Sequence, residues 1–374
     1  MRCVLRPSQA GETGARSALR AIAVAFALLI GNMCSAEAQT FPLPSPTPTP
    51  GIAIISSDIS AGQAVTNLGS SFLERLGSQA TNGVDRIGRA NPGGGGASAA
   101  AEAPKFRAWL EGYGMWSKTD AQGDFAGDTR VTSGGVAGIG ATVAPGVNIG
   151  ISVDRSHSKI DVPLAFQTAT LDLTQVGGNF SIDKGPWTIA GAVVHGFGRI
   201  GSTRDAGFGF ATAGYNAQVD GVLGEVDYYW MKDQFRIVPK LAVEYVRSST
   251  DGFTERGPFF FLVTASGATA ERARVLAGAE VGHYWIIDQK ILDLSAYGKL
   301  VDNFHQAFST VTVSIPGFQP VSVTGIGESR YGADAGAAAS LSVTNNIRFY
   351  GRYDGKFREH FVSHQGTAGI EVRW

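Results

Sequence analysis

Six histidines and many serines are the residues of this chain that could ligate a metal or act as nucleophiles. His360 and His364 stand four apart, a spacing that meets on a helix but separates by about 13 Å along a strand, too far to share an ion. No Gly-x-Ser-x-Gly elbow surrounds a serine, so nothing points to an acyl-enzyme nucleophile. The chain is read as a non-enzyme with no cofactor and no metal. What remains is charge: Arg236, Lys240, Glu244, Arg272, Arg274, Glu280, Arg348, Arg352 and Arg373 recur in segments that alternate polar and apolar residues. Mixed signs predict internal pairing, with Glu74 and Asp85 of an upstream helix as partners, over selection of a solute. Net charge is -1, so no nucleic-acid partner is suggested.

The elements that must position those charges have a period of two. A strand projects successive side chains to opposite faces. Ile237, Pro239, Leu241, Val243 and Tyr245 form an apolar set interrupted by Arg236, Lys240, Glu244 and Arg247. Leu292, Leu294, Ala296 and Leu300 oppose Asp293, Ser295, Tyr297 and Lys299. Ile347, Phe349, Tyr353 and Phe357 oppose Arg348, Arg352, Asp354 and Lys356. In the final segment Ile370, Val372 and Trp374 share one side while Glu371 and Arg373 take the other. A soluble sandwich also alternates, but its strands are typically five or six residues long, shorter than these segments. Apolar on one side, charged on the other, with tryptophans at the ends (Trp109, Trp116, Trp187, Trp230, Trp285), describes a transmembrane barrel. About twelve strands fit between 106 and 374, provided 211–231 is a single strand, since bacterial single-chain barrels carry an even number. The long connections 117–129, 200–210, 250–268 and 304–327 are expected on the outer side, and short turns such as Pro145-Gly146 and Lys232-Asp233 on the inner.

Upstream, Arg2, Arg6, Arg16 and Arg20 precede the apolar run 21–30, and Ala36-Glu37-Ala38 offers a cleavage site. This predicts a cleaved secretory signal over 1–38, containing both cysteines, Cys3 and Cys34. A lipoprotein reading of Cys34 is weakened by Gly31-Asn32-Met33, a poor lipobox. Beyond the signal no apolar run approaches the roughly 20 residues of a membrane helix, so spanning must be done by strands. Residues 39–56 read as a Pro-rich tether and 57–90 as an amphipathic helix. That helix carries the stripe Val65, Leu68, Phe72, Leu76, Ala80, Val84 and Ile87, with Asp58 as N-cap. Residues 91–105 read as a Gly/Ala-rich linker.

Residues 106–374 resemble the translocator domain of autotransporters. The resemblance is carried by Ala108-Trp109-Leu110-Glu111-Gly112-Tyr113-Gly114, by Gly134-Gly135-Val136-Ala137-Gly138-Ile139-Gly140, by 349–357, and by the terminal 366–374. It implies an all-β, up-and-down antiparallel barrel of twelve strands with an N-terminal helix lodged in its lumen. It also implies residence in the outer membrane of a Gram-negative bacterium, outer-membrane lipids as surroundings, and Sec export. Insertion would follow by the barrel-assembly machinery, with Ile370, Val372 and Trp374 as its C-terminal signal. One departure stands out: between signal and barrel only the tether and helix are found, with no recognisable passenger. Anchoring or display of a very short N-terminal segment is the expectation. The alternatives are a solute-conducting channel and an adhesin acting through the apolar stretches 258–263 and 311–318 of the outer loops.

Overall fold

The structure, a computed structural model, describes residues 53–81 and 105–374 apart from 124, 208, 259, 260, 288, 289 and 345. The signal, most of the tether, Asp85 and the Gly/Ala linker lie outside the described residues. Helix α1 is Ser56–Ala80. Twelve long strands follow: β1 Phe106–Thr119, β2 Asp128–Ala144, β3 Val147–Val162, β4 Gln167–Lys184, β5 Trp187–Asp205 and β6 Phe210–Tyr228, then β7 Phe235–Thr250, β8 Ala268–Ile287, β9 Lys290–Phe308, β10 Tyr331–Ser342, β11 Ile347–Arg358 and β12 Phe361–Arg373. Every neighbour pair is antiparallel, and β1 pairs with β12 as well as β2, so the sheet closes. The uncertain 211–231 region is one wall strand: β6 breaks only at Tyr229, and Trp230–Lys232 continues as a short piece against the start of β7.

The period of two sorts side chains as a barrel in lipid requires. Along β1, Phe106, Ala108, Leu110, Gly112, Gly114 and Trp116 face out, and Glu111, Tyr113, Ser117 and Thr119 are buried in the lumen. Phe106 and Trp116 are ten residues apart. At roughly 3.3 Å per residue and the usual tilt of about 40°, that spans about 25 Å, the height of a lipid-facing band. Trp187, Trp230, Trp285 and Trp374 are likewise exposed near the end that carries the chain's strand termini. Trp109 departs from the expected girdle. It shares parity with Glu111, is 4% exposed, and lies under the Arg107 guanidinium at 5.1 Å inside the lumen. Arg247 departs in the opposite sense: it shares parity with Tyr245, faces out, and pairs with Glu271 at 3.5 Å.

The inner turns are short, with Gly146 and Gly185 at positive φ. The outer connections are uneven. The links 163–166, 206–209 and 359–360 are brief, whereas 251–267 and 309–330 are long and build a second small sheet. Its strands are Phe253–Thr254, Thr264–Ala265, Thr310–Ser314 and Val321–Thr324. Val263, Ala265, Val311, Val313 and Val323 bury their side chains there together with Ile55 from the turn before α1. Of the apolar stretches 258–263 and 311–318, Val263, Val311 and Val313 thus belong to the core of a cap over the outer mouth, and Phe261 and Phe318 are exposed on it.

Candidate functional site

The feature that distinguishes this barrel is what fills it. Val65, Leu68, Phe72, Leu73 and Leu76 recur at helical spacing on α1 and are at most 2% exposed. They pack on Leu171 and Leu173 of β4, Ala192 and Val194 of β5, and Val219 and Leu223 of β6. Close approach depends on two missing side chains. A Cβ on Gly177 would sit 2.5 Å from Leu76 Cδ1, and one on Gly69 would sit 2.5 Å from Val219 Cγ2. Burying each large side chain contributes about 1.5–3 kcal/mol, so this apolar contact is the main attraction between helix and wall.

The opposite side of α1 meets charge. Glu74 Oε1 accepts from Arg274 Nη2 at 2.5 Å and from Lys356 Nζ at 2.6 Å, which ties the helix to β8 and β11. Arg274 also donates to Ser70 Oγ and to Glu244 Oε2, and Ser70 Oγ donates to Glu244 Oε1. Lower down, Arg75 Nη1 and Gln79 Nε2 donate to the two oxygens of Glu111 at 2.8 and 2.6 Å. Tyr350 adds a third bond to that carboxylate. Arg272 reaches Asn67 and Glu328, Arg352 reaches Ser78, and Arg130 reaches Gln63.

Both helix ends are finished by the wall. An α-helix leaves its first N–H and last C=O groups without internal partners. The N-cap is Ile55, with no side-chain bond of its own; Asp58 sits in the first turn, held by the Tyr215 hydroxyl at 2.6 Å, and so is not the N-cap expected from sequence. Gln167 of β4 does the capping: Oε1 accepts from Ser57 N and Nε2 donates to Ile54 O. At the other end Asn179 donates to Leu76 O, Arg107 to Gln79 O and Tyr229 to Thr81 O. Arg107 and Lys240, which approaches Thr81 Oγ1 at 3.5 Å, also place cations where the helix dipole is negative.

Of the charges expected to face the helix, Lys240, Glu244, Arg272, Arg274 and Arg352 meet it, as does Glu74 from its own side. Arg236 and Glu280 correct the reading: they pair with each other, and Arg236 also with Asp293, within the wall. Arg348 and Arg373 both bridge to Glu371 beside the barrel seam. Sequence reasoning missed Glu111, Arg130, Gln167, Lys356 and also Gln365, whose Oε1 accepts from Ser71 Oγ at 2.9 Å, as helix partners. Parity could have flagged Glu111, an acid that shares a face with Tyr113 and Ser117 on β1. Ile370, Val372 and Trp374 do share the outward side. Among the described residues no group of His, Cys, Asp and Glu could hold a metal ion. His364 faces outward, bonded to the Tyr353 hydroxyl at 2.6 Å and stacked near Trp116.

Space persists on the charged side. A cavity of about 80 Å³ lies between the outer half of α1 and the wall near Arg272, Gln306 and Glu328, and one of about 20 Å³ lies deeper. The two share Asn67, Arg272, Glu328 and Phe361.

A helix held across the lumen of a closed twelve-stranded barrel is an autotransporter arrangement, and the sequence agrees. Residues 108–354 match the autotransporter beta-domain family, and the chain belongs to it. Among solved structures, it is similar to the translocator domain of the autotransporter NalP from Neisseria meningitidis. The TM-score is 0.65 at 15% identity, over 86% of this chain and 100% of that one. The beta domain of the Bordetella autotransporter BrkA matches at a TM-score of 0.55 and 14% identity, over 72% of this chain and 100% of that one. At these identities the likeness shows the fold. No curated protein matches by sequence. The family and fold place the barrel in the outer membrane of a Gram-negative bacterium.

Proposed function

We propose that this translocator barrel anchors the chain in the outer membrane and displays at the cell surface the segment that precedes α1, while α1 stays in the lumen as a plug. The observation that supports this most is the capping of both helix ends by barrel side chains. A helix merely in transit has no need of a matched Gln167 at one end and Asn179, Arg107 and Tyr229 at the other. The helix's first turn lies under the outer cap and its last turn at the end that holds Phe106 and Trp374, a polarity suited to display outward. Export by a cleaved signal over 1–38, and insertion by the barrel-assembly machinery reading Ile370, Val372 and Trp374, complete the proposal.

Single-channel recording in planar bilayers tests it, comparing the mature protein with a form beginning near Lys105. Low conductance that rises sharply on truncation supports the plug. A second reading, solute conduction alongside the helix, is favoured by the two cavities that Asn67, Arg272 and Glu328 line between helix and wall; equal and high conductance of both forms would make it the better account.

A further inference from the structure

On the lipid-facing side, the exposed charges above the apolar band are mostly paired: Lys118 with Asp120, Arg247 with Glu271, Arg330 with Asp302. One sector differs. Arg155 and Lys159 on β3 and Arg199 on β5 project outward and are exposed. None of the three has a carboxylate within 4.0 Å among the described residues. Register gathers them around β4: Arg155 lies opposite Thr174, Lys159 opposite Thr170, and Arg199 opposite Asp172. Asp172 is engaged on its other side by His157 Nδ1 at 2.8 Å, and Asp161 faces outward one step above Lys159.

Their height is what gives the group meaning. On β5 the outward apolar side chains run from Trp187 to Phe197, interrupted near the top by His195, which is paired with Asp220, and Arg199 is the next outward residue. On β3 the apolar set Ile149, Ile151, Val153 ends and Arg155 follows at once. Cations at the midplane of a lipid-facing wall are costly, yet at the interface they cost little and attract anionic headgroups. Arg155 and Lys159 are about 13 Å apart along the strand, and Arg199 stands two strands over, about 10 Å from His157. That footprint is wider than one phosphate. Arginine forks bind phosphate oxygens in pairs, and the Thr174 hydroxyl between them supplies a further donor, while that of Thr170 is turned to Gly201 O at 3.4 Å.

We propose that this sector binds the phosphorylated headgroup of the outer leaflet's glycolipid, bridging two phosphates of one molecule. The patch holds the lipid against β3–β5, of which β4 and β5 carry part of the apolar seat of α1 on their other side.

Native mass spectrometry of the full protein in detergent micelles tests this with three probes: bisphosphorylated lipid A, its dephosphorylated form, and inorganic phosphate. Lipid A is expected to bind, and the triple variant R155Q/K159Q/R199Q to bind it about a hundredfold more weakly, the loss of three interfacial cations. Dephosphorylated lipid A and inorganic phosphate should bind about tenfold or more weakly than lipid A. The paired-cation control K118Q/R247Q should behave as the native chain. If the triple variant binds as well as the native chain, or dephosphorylated lipid A binds as well as lipid A, the proposal is wrong. Heat-modifiable gel migration verifies that each variant is folded. Should the triple variant fail to fold, R155Q and R199Q singly must each weaken lipid A binding about fivefold, and no change in either overturns the proposal.

Discussion

The lumen wall from β3 to β6 and the wall from β8 through β11 hold one helix by unlike means. The first presents Leu171, Leu173, Val194, Val219 and Leu223 and lets Phe72 and Leu76 approach across Gly177. The second presents Arg272, Arg274, Arg352 and Lys356 to Asn67, Glu74 and Ser78. Apolar contact is strong but tolerant of sliding and rotation, since it depends on area alone. Buried ion pairs roughly break even against their desolvation, but a wrong pairing is expensive. So the apolar wall supplies the affinity, and the charged wall selects one height and one rotation of the helix.

That division can be broken in order of expected effect. Starting the chain near Lys105 removes both contacts, and single-channel conductance should rise more than in any point variant. Phe72→Ala should weaken helix seating by about 3–5 kcal/mol through lost burial and a cavity. Its effect on the time the pore stays blocked should be insensitive to salt. Glu74→Gln should cost about 2 kcal/mol, less than a fully buried pair because Glu74 and Lys356 keep some contact with water. Adding Lys356→Met should recover part of that loss, a coupling readable from a double-mutant cycle in urea unfolding. Gln167→Ala removes the borrowed N-terminal cap and should cost about 1 kcal/mol, with faster amide exchange confined to Ser57 and its neighbours. Equal salt dependence of F72A and E74Q would dissolve the distinction between the walls.

Much of the barrel was legible because lipid enforces a strict alternation that few other settings do. Ile347 to Phe357 and Leu292 to Leu300 could be sorted into outward and inward sets by parity alone. Where the reading slips, parity is set aside for composition: Trp109 is counted as an interfacial aromatic although it shares a face with Glu111, and Arg247 is grouped with the charges that interrupt an apolar set although it shares a face with Tyr245. The helix stripe from Val65 to Leu76 was readable, since its apolar wall leaves a periodic mark. Its polar partners were not. Which wall residue meets Arg75 depends on the rotation and depth of α1, quantities that no local pattern encodes, and Arg236 found Asp293 and Glu280 nearer than any helical acid. The outer cap escaped notice because strands of two to five residues carry too little alternation to register.

The seam between β1 and β12 sets how this chain can fold. Arg107 lies opposite Arg373 and Ala108 opposite Val372, and the backbones of Phe106 and Trp374 exchange two hydrogen bonds. Every other wall contact joins strands that are neighbours in sequence and zips up hairpin by hairpin, but this one closes a loop of the whole domain. Its high contact order makes it the slow step, and until it forms two bare edges face a solvent with no water to satisfy them. A lesion in the last strand should therefore arrest assembly at a late, nearly complete intermediate rather than merely lower the stability of a finished barrel.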